Sequence, residues 1–126
     1  MYVVNRSVAI IRPKQSYVDW ANSVANDDHT YSLEEPSDEC NVFLLPGYKS
    51  DQHGDAILKK LYREIFDVEF SSCTTDTTEW PVIRDFKQFL GWFDVELHSM
   101  VFDPQENDIE KEPYYNLSGP EICKRL

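Results

Sequence analysis

Asp94, Glu96 and His98 occupy alternate positions in a run from Asp94 to Asp103, and alternation is the period of a β-strand. On a strand such residues share one face, spaced by roughly 6.5–7 Å, so neighbours can converge on a small ion. Two carboxylates and an imidazole suit Zn, Mn or Fe, and three protein ligands leave a coordination position for water. A centre of that kind performs metal-dependent hydrolysis. Asp76, Glu79 and Cys73, in the loop before the strand, are candidates for a further ligand. The ordinary reading of the same three residues is an exposed polar strand face. Acids at alternate positions arise easily in a chain with 23 Asp and Glu.

Arg12, Lys14 and Lys49 suggest different chemistry. Each is expected just past the end of a strand and close to a helix start, where unbonded N–H groups and the helix dipole attract anions. Three cations converging in an acidic protein would form a small-anion site. Against that reading, no glycine-rich phosphate loop is present and Pro13 lacks an N–H donor. Their ordinary role is to pair with nearby acids.

Nucleophilic catalysis has little support. No serine lies in a GxSxG setting, and no cysteine has a histidine nearby in sequence. His29 lies in an acidic stretch and His53 in the first turn of a helix, both read as surface positions. Trp20, Trp80 and Trp92 read as packing residues.

The elements that must position these residues follow from changes in apolar period. Val8 to Ile11 is a β-branched run, and Pro13 suits the first turn of the helix after it. Tyr17, Trp20, Ala21 and Val24 mark that helix, over about residues 14 to 25. Residues 26 to 40 hold Asp27, Asp28, Glu34, Glu35, Asp38 and Glu39 without a Lys or Arg, and read as a solvated loop. Val42 to Leu45 is apolar on both faces, which predicts a strand covered by helices on each side. Ser50 or Asp51 then caps a helix carrying Ile57, Leu58, Leu61, Tyr62, Ile65 and Phe66. A loop from Asp67 to Trp80 and a short helix from Asp85 follow, with Phe86, Phe89, Leu90 and Phe93 inward. A last strand runs from about Asp94 to Asp103, with Val95, Leu97 and Val101 opposite the candidate metal ligands.

The predicted fold is a small α/β sandwich of order β-α-β-α-α-β around a three- or four-stranded sheet. Its first β-α-β unit is expected to be a right-handed crossover between parallel strands. Residues 1 to 103 read as one α/β domain. Residues 104 to 126 read as an acidic tail docked on the domain or on a partner subunit through Tyr114, Tyr115 and Leu117.

A chain of 126 residues with 41% hydrophobic and 13% aromatic residues can build one core. A net charge of -11 repels phosphate backbones and anionic lipid, so neither nucleic acid nor membrane is an expected partner. No stretch has the length of a signal-peptide core or a membrane span. Cys40, Cys73 and Cys123 are odd in number and widely spaced, which fits reduced thiols in a cytoplasm.

Three segments together resemble a family of small uncharacterised bacterial proteins over roughly residues 5 to 103. They are Asn5-Arg6-Ser7 leading to Arg12-Pro13-Lys14-Gln15, then Trp80-Pro81 with Arg84, then Trp92 to Ser99. The resemblance implies a bacterial cytosolic domain and carries no activity or catalytic residue. The leading functional expectation is therefore a non-catalytic module that binds a protein partner or itself, with no cofactor. A metal-dependent hydrolase on Asp94, Glu96 and His98, with a divalent ion, stands second. Small-anion binding near Arg12, Lys14 and Lys49 stands third.

Overall fold

The alternation Ser7, Ala9, Ile11 against Val8, Ile10, Arg12 makes the segment from Arg6 to Pro13 the central strand of the structure. The computed structural model describes residues 1–24 and 40–114. It shows an α/β fold with two small sheets, of two and three strands, and helices packed against them. Strand β1 is Tyr2–Val4, β2 Arg6–Pro13, β3 Asn41–Pro46, β4 Phe93–His98 and β5 Val101–Asp103. The helices are α1 Gln15–Val24, α2 Asp51–Ser71 and α3 Phe86–Trp92, with a 3-10 turn at Thr77–Glu79. No helix among the described residues is long and apolar enough to cross a membrane.

Both neighbours of β2 run antiparallel to it, in the order β3-β2-β4, so β3 and β4 are the edge strands. The expected parallel crossover is not formed. Ile11 pairs with Asn41 and Arg6 with Pro46, so the chain leaves β2 and enters β3 at the same end of the sheet. A long connection containing one amphipathic helix can return to either end, and the helix period alone does not choose between them.

The expected long last strand is divided at Ser99 and Met100. Val8 pairs with His98, whereas Val4 pairs with Val101, so three residues of one strand face two of the other. That one-residue slip is the mark of a bulge, which bends the ribbon and turns its faces. It also reassigns Val101: the residue lines a cavity with Val4 and Leu44, away from the core side expected for it.

All three helices pack on one face of the sheet. Ser7, Ala9, Ile11, Leu45 and Phe93 turn inward and are buried. Tyr17 and Ala21 of α1, Leu58, Ile65, Phe66 and Phe70 of α2 and Phe89 of α3 complete the core. Phe66 lies at its centre, stacked on Phe70 at 4.4 Å and edge-on to Phe89 at 5.4 Å and Phe93 at 5.7 Å. Among the described residues no second helical layer of the kind the doubly apolar β3 predicted covers the opposite face. Val42 is 58% exposed and Leu44 47%.

Capping follows the sequence closely. The Ser50 side chain accepts from the His53 N–H and the Asp85 side chain from the Gln88 N–H, which starts α2 and α3 where orphan donors need acceptors. Helix α2 continues past the expected stop at Asp67. Ser71 and Ser72 both donate their hydroxyls to the Val68 carbonyl, which ties the serines into the last turn. Ser7, fully buried, donates its hydroxyl to the Pro46 carbonyl at 2.8 Å and fastens β2 to the end of β3.

Residues 104–114 form no strand or α-helix. The Tyr114 hydroxyl lies 2.7 Å from that of Ser71. Tyr115, Leu117, Cys123, His29 and the six acids of the 26 to 40 stretch lie outside the described residues. Phe66 joins two helices and a strand, so Phe66→Ala is expected to reduce stability by about 3–5 kcal/mol, read from urea unfolding.

Candidate binding face

The face of the three-stranded sheet opposite the described helices divides into two halves. Val8 and Ile10 of β2 pair with Leu44 and Val42 of β3, giving an apolar strip. On the other side, Arg12, Ile10 and Val8 pair with Asp94, Glu96 and His98 of β4, so the candidate metal ligands do share one strand face.

Their partners are already chosen. One oxygen of Glu96, Oε2, lies 2.9 Å from His98 Nε2 and 3.5 Å from the Arg12 guanidinium. The His98 hydrogen bond, with the positive charge of Arg12, holds the Glu96 carboxyl below the usual carboxylate range. Lys14 Nζ stands 3.6 Å from Asp94 and donates to the Leu90 carbonyl at 2.8 Å, near the end of α3. The residues of the two sites expected from sequence therefore neutralise one another across β2 and β4. Such exposed pairs are geometrically definite but energetically small.

Lys49 does not join Arg12 and Lys14. It follows β3 beyond Pro46, which pairs with Arg6, and so lies at the opposite end of β2 from Arg12. The antiparallel course of β3 separates the three cations that a parallel course would have gathered. Cys73, Asp76 and Glu79 are likewise remote from the strand face. Cys73 Sγ lies 3.1 Å from the Tyr17 hydroxyl, and Trp20 Nε1 donates to the Glu79 carbonyl, which places their loop on the helical side. Asp76 accepts from the backbone and hydroxyl of Thr78, which lowers its pKa. Among the described residues no group of three or more His, Cys, Asp or Glu side chains is placed to hold a metal ion. His53 is exposed at the start of α2.

Beyond the apolar strip lies a groove of about 570 Å³. Val4, Leu44, Val101, Phe102 and Ile109 supply its apolar surface, and Asp103, Asp108 and Glu110 its charges. Among the described residues no Lys or Arg lines it. The bulge between β1 and β2 makes the groove possible by bringing Val101 to the side of Leu44, while residues 105–110 form a wall. Sequence reading assigned β1 no strand and therefore missed this site. The available signal was Tyr2-Val3-Val4, a β-branched run opposite Val101-Phe102.

Glu69 is a second residue that sequence reading missed. It continues the buried stripe of α2 after Leu58, Ile65 and Phe66, and is 6% exposed. Asn41 Nδ2 donates to its carboxyl at 2.9 Å, and the Tyr17 hydroxyl donates to its main-chain carbonyl at 2.7 Å. Burial raises the Glu69 pKa to about 7, partly opposed by the Asn41 hydrogen bond. Glu69 does not line the groove; its side chain is buried beside Asn41.

A scan against models of known protein families, and searches of curated proteins and of solved structures, found no match to this chain. The residues themselves therefore carry the functional argument.

Two outcomes follow. The folded chain retains the Glu69 proton up to about pH 7, while an unfolded glutamate releases it near 4.5. The folded state thus binds more protons across that window, and this contribution to stability falls as pH rises through it. Glu69→Gln should gain stability relative to the parent chain by on the order of 3 kcal/mol between the two ends of the window, read from urea midpoints. For the strand face, chelator-treated protein should show an unchanged melting temperature with Zn²⁺, Mn²⁺ or Mg²⁺, because Glu96 is engaged by His98 and Arg12. A rise lost in His98→Ala would restore the metal-centre reading.

Proposed function

We propose that this chain is a non-catalytic cytosolic binding module that takes a segment of another protein carrying both apolar and basic side chains. The observation that supports it is the continuity of the exposed Val42 and Leu44 strip with an apolar groove rimmed by Asp103, Asp108 and Glu110. Apolar surface supplies affinity on desolvation, while the acids favour a basic partner and speed its approach. Phe102, 58% exposed on the groove, is the natural aromatic anchor.

Charge selects among occupants. A second copy brings the same charge of -11 to the interface, whereas a basic segment neutralises the rim. The same sign disfavours nucleic acid and anionic lipid. Membership of a small bacterial family, over residues 5 to 103, belongs to this proposal and adds no activity to it. Metal-dependent hydrolysis lacks a comparable observation.

A fluorescent extended peptide alternating Val and Lys tests the reading by anisotropy, with a Val and Glu peptide as the control. The Lys peptide should bind, less tightly as salt rises, and the Glu peptide should not. Phe102→Ser, or Asp108→Lys with Glu110→Lys, should weaken binding by roughly tenfold or more. Asp55→Lys with Glu64→Lys, which makes the same change of net charge on α2, should weaken it less. Equal losses from groove and helix variants would mean unspecific attraction and would overturn the reading. So would a dimer in sedimentation that Phe102→Ser dissociates, since the groove would then serve a second copy.

A further inference from the structure

The wall of the groove is a single stretch of chain held at both ends. Gln105, Asn107, Asp108, Ile109 and Glu110 line the groove together with Leu44. At one end Asp103 pairs with Tyr2 in the β1–β5 ribbon, and its side chain accepts from the Gln105 N–H at 2.8 Å. At the other end the Tyr114 hydroxyl lies 2.7 Å from that of Ser71, in the last turn of α2. Pro104 and Pro113 stiffen the two departures, since proline fixes its own φ and holds the residue before it extended.

The fold dictates where this stretch has to go. Helix α2 starts just past Pro46 and runs back along β3, because the Glu69 carboxyl, near its end, accepts from Asn41 at the start of β3. Ser71 therefore stands toward the Asn41 end of β3 on the helical side, whereas Leu44 turns to the groove on the opposite face. Residues 104–114 thus pass from one face of the sheet to the other. Eleven residues reach at most roughly 36–40 Å when fully extended, so the point at which Tyr114 is fastened limits where the wall can stand.

The fastening has a defined direction. Ser71 has one hydroxyl proton and donates it to the Val68 carbonyl at 2.8 Å. Its oxygen is left to accept, so the proton in the contact is that of Tyr114. The acceptor is tied into the helix end, while Tyr114 is 37% exposed, and the contact can open to water without disturbing the core.

We infer that Tyr114 is a latch: by donating to Ser71 it holds residues 104–114 in place as the wall of the groove and presets the groove for its ligand. The inference rests on the groove's being the binding site proposed above. A wall that is already ordered need not be ordered on binding, and the observed affinity scales with the fraction of chains in which the groove is formed. One exposed hydrogen bond holds the latch, so its loss should lower that affinity by about threefold to tenfold. Tyr114 does not itself line the groove and is a positioning residue, acting on a ligand only through the wall.

The test uses the whole chain with Tyr114→Phe, which keeps the ring and removes only the donated proton, and with Ser71→Ala, which removes the acceptor. Backbone amide order parameters from NMR relaxation report the wall directly. Residues 105–110 should give values near about 0.8 in the parent chain and below about 0.6 in either variant, while Ala9, Ile11 and Phe66 keep theirs. The double variant should loosen the wall no further than either single one, since both break the same contact. The Val and Lys peptide should bind Tyr114→Phe about threefold to tenfold more weakly, with the urea midpoint unchanged. A merely structural role would lower the midpoint and leave the wall ordered. The latch is overturned if the wall is already mobile in the parent chain, if Tyr114→Phe leaves its order parameters unchanged, or if a loosened wall binds the peptide as tightly as the parent does. If the peptide fails to bind the parent chain at all, the reading of the groove falls, and the order parameters still decide whether Tyr114 holds the wall.

Discussion

The stacking of Phe66 on Phe70, with Phe89 and Phe93 at their edges, is the contact on which the rest of the architecture depends. It joins α2 to α3 and to β4, and through Phe70 it reaches Trp20 of α1 at 5.0 Å. Tyr17 of α1 adds a second tie, at 5.0 Å from Phe93. Large rings bury much area at modest cost in rotamer freedom, and edge-on geometry adds attraction beyond area alone. Concentrating them in one layer gives a small chain a real core. It also draws the three described helices to one side of the sheet, so none of them covers the apolar residues of the other side.

That asymmetry explains where binding chemistry remains. On the open face the polar half is closed on itself: Arg12, Glu96 and His98 share one cluster, and Lys14 holds Asp94. The apolar half has no such satisfaction, since nonpolar surface is relieved only by removing it from water. Bending at the bulge extends this half into the groove, and the acids of residues 103–110 give it a sign. The helical side shows the converse case. There Arg84, beside Trp80 and Asp67, has a buried Nε–H that no group among the described residues accepts.

Much of the fold was legible because its signals are local. Ser50 and Asp85 carry capping chemistry within three residues, and the stripe from Ile57 to Phe66 has a helical period. The alternation of Asp94, Glu96 and His98 on one strand face was legible for the same reason. What escaped was long-range. Strand direction depends on where a connection of unspecified path returns, which no period encodes, and it decided that Lys49 stands apart from Arg12. The pairing of Arg12 with Glu96 depends on register between segments some eighty positions apart. Glu69 escaped for a different reason. An acid on a buried stripe looks like an interruption until Asn41 and the surrounding core show that it is accommodated.

The two edges of the sheet are unlike in a way that bears on how the protein behaves in a crowded solution. Strand β4 displays Asp94, Glu96 and His98, charges that discourage another chain from pairing along it. Strand β3, Asn41-Val42-Phe43-Leu44-Leu45-Pro46, carries no charge, and within it only the terminal proline blunts the edge. An edge of that composition is a template for uncontrolled strand addition and, in the end, for cross-β aggregation. Mutual repulsion between copies that each carry a charge of -11 is then a colloidal safeguard. The same acidity that rims the groove thus works against strand pairing between copies along β3.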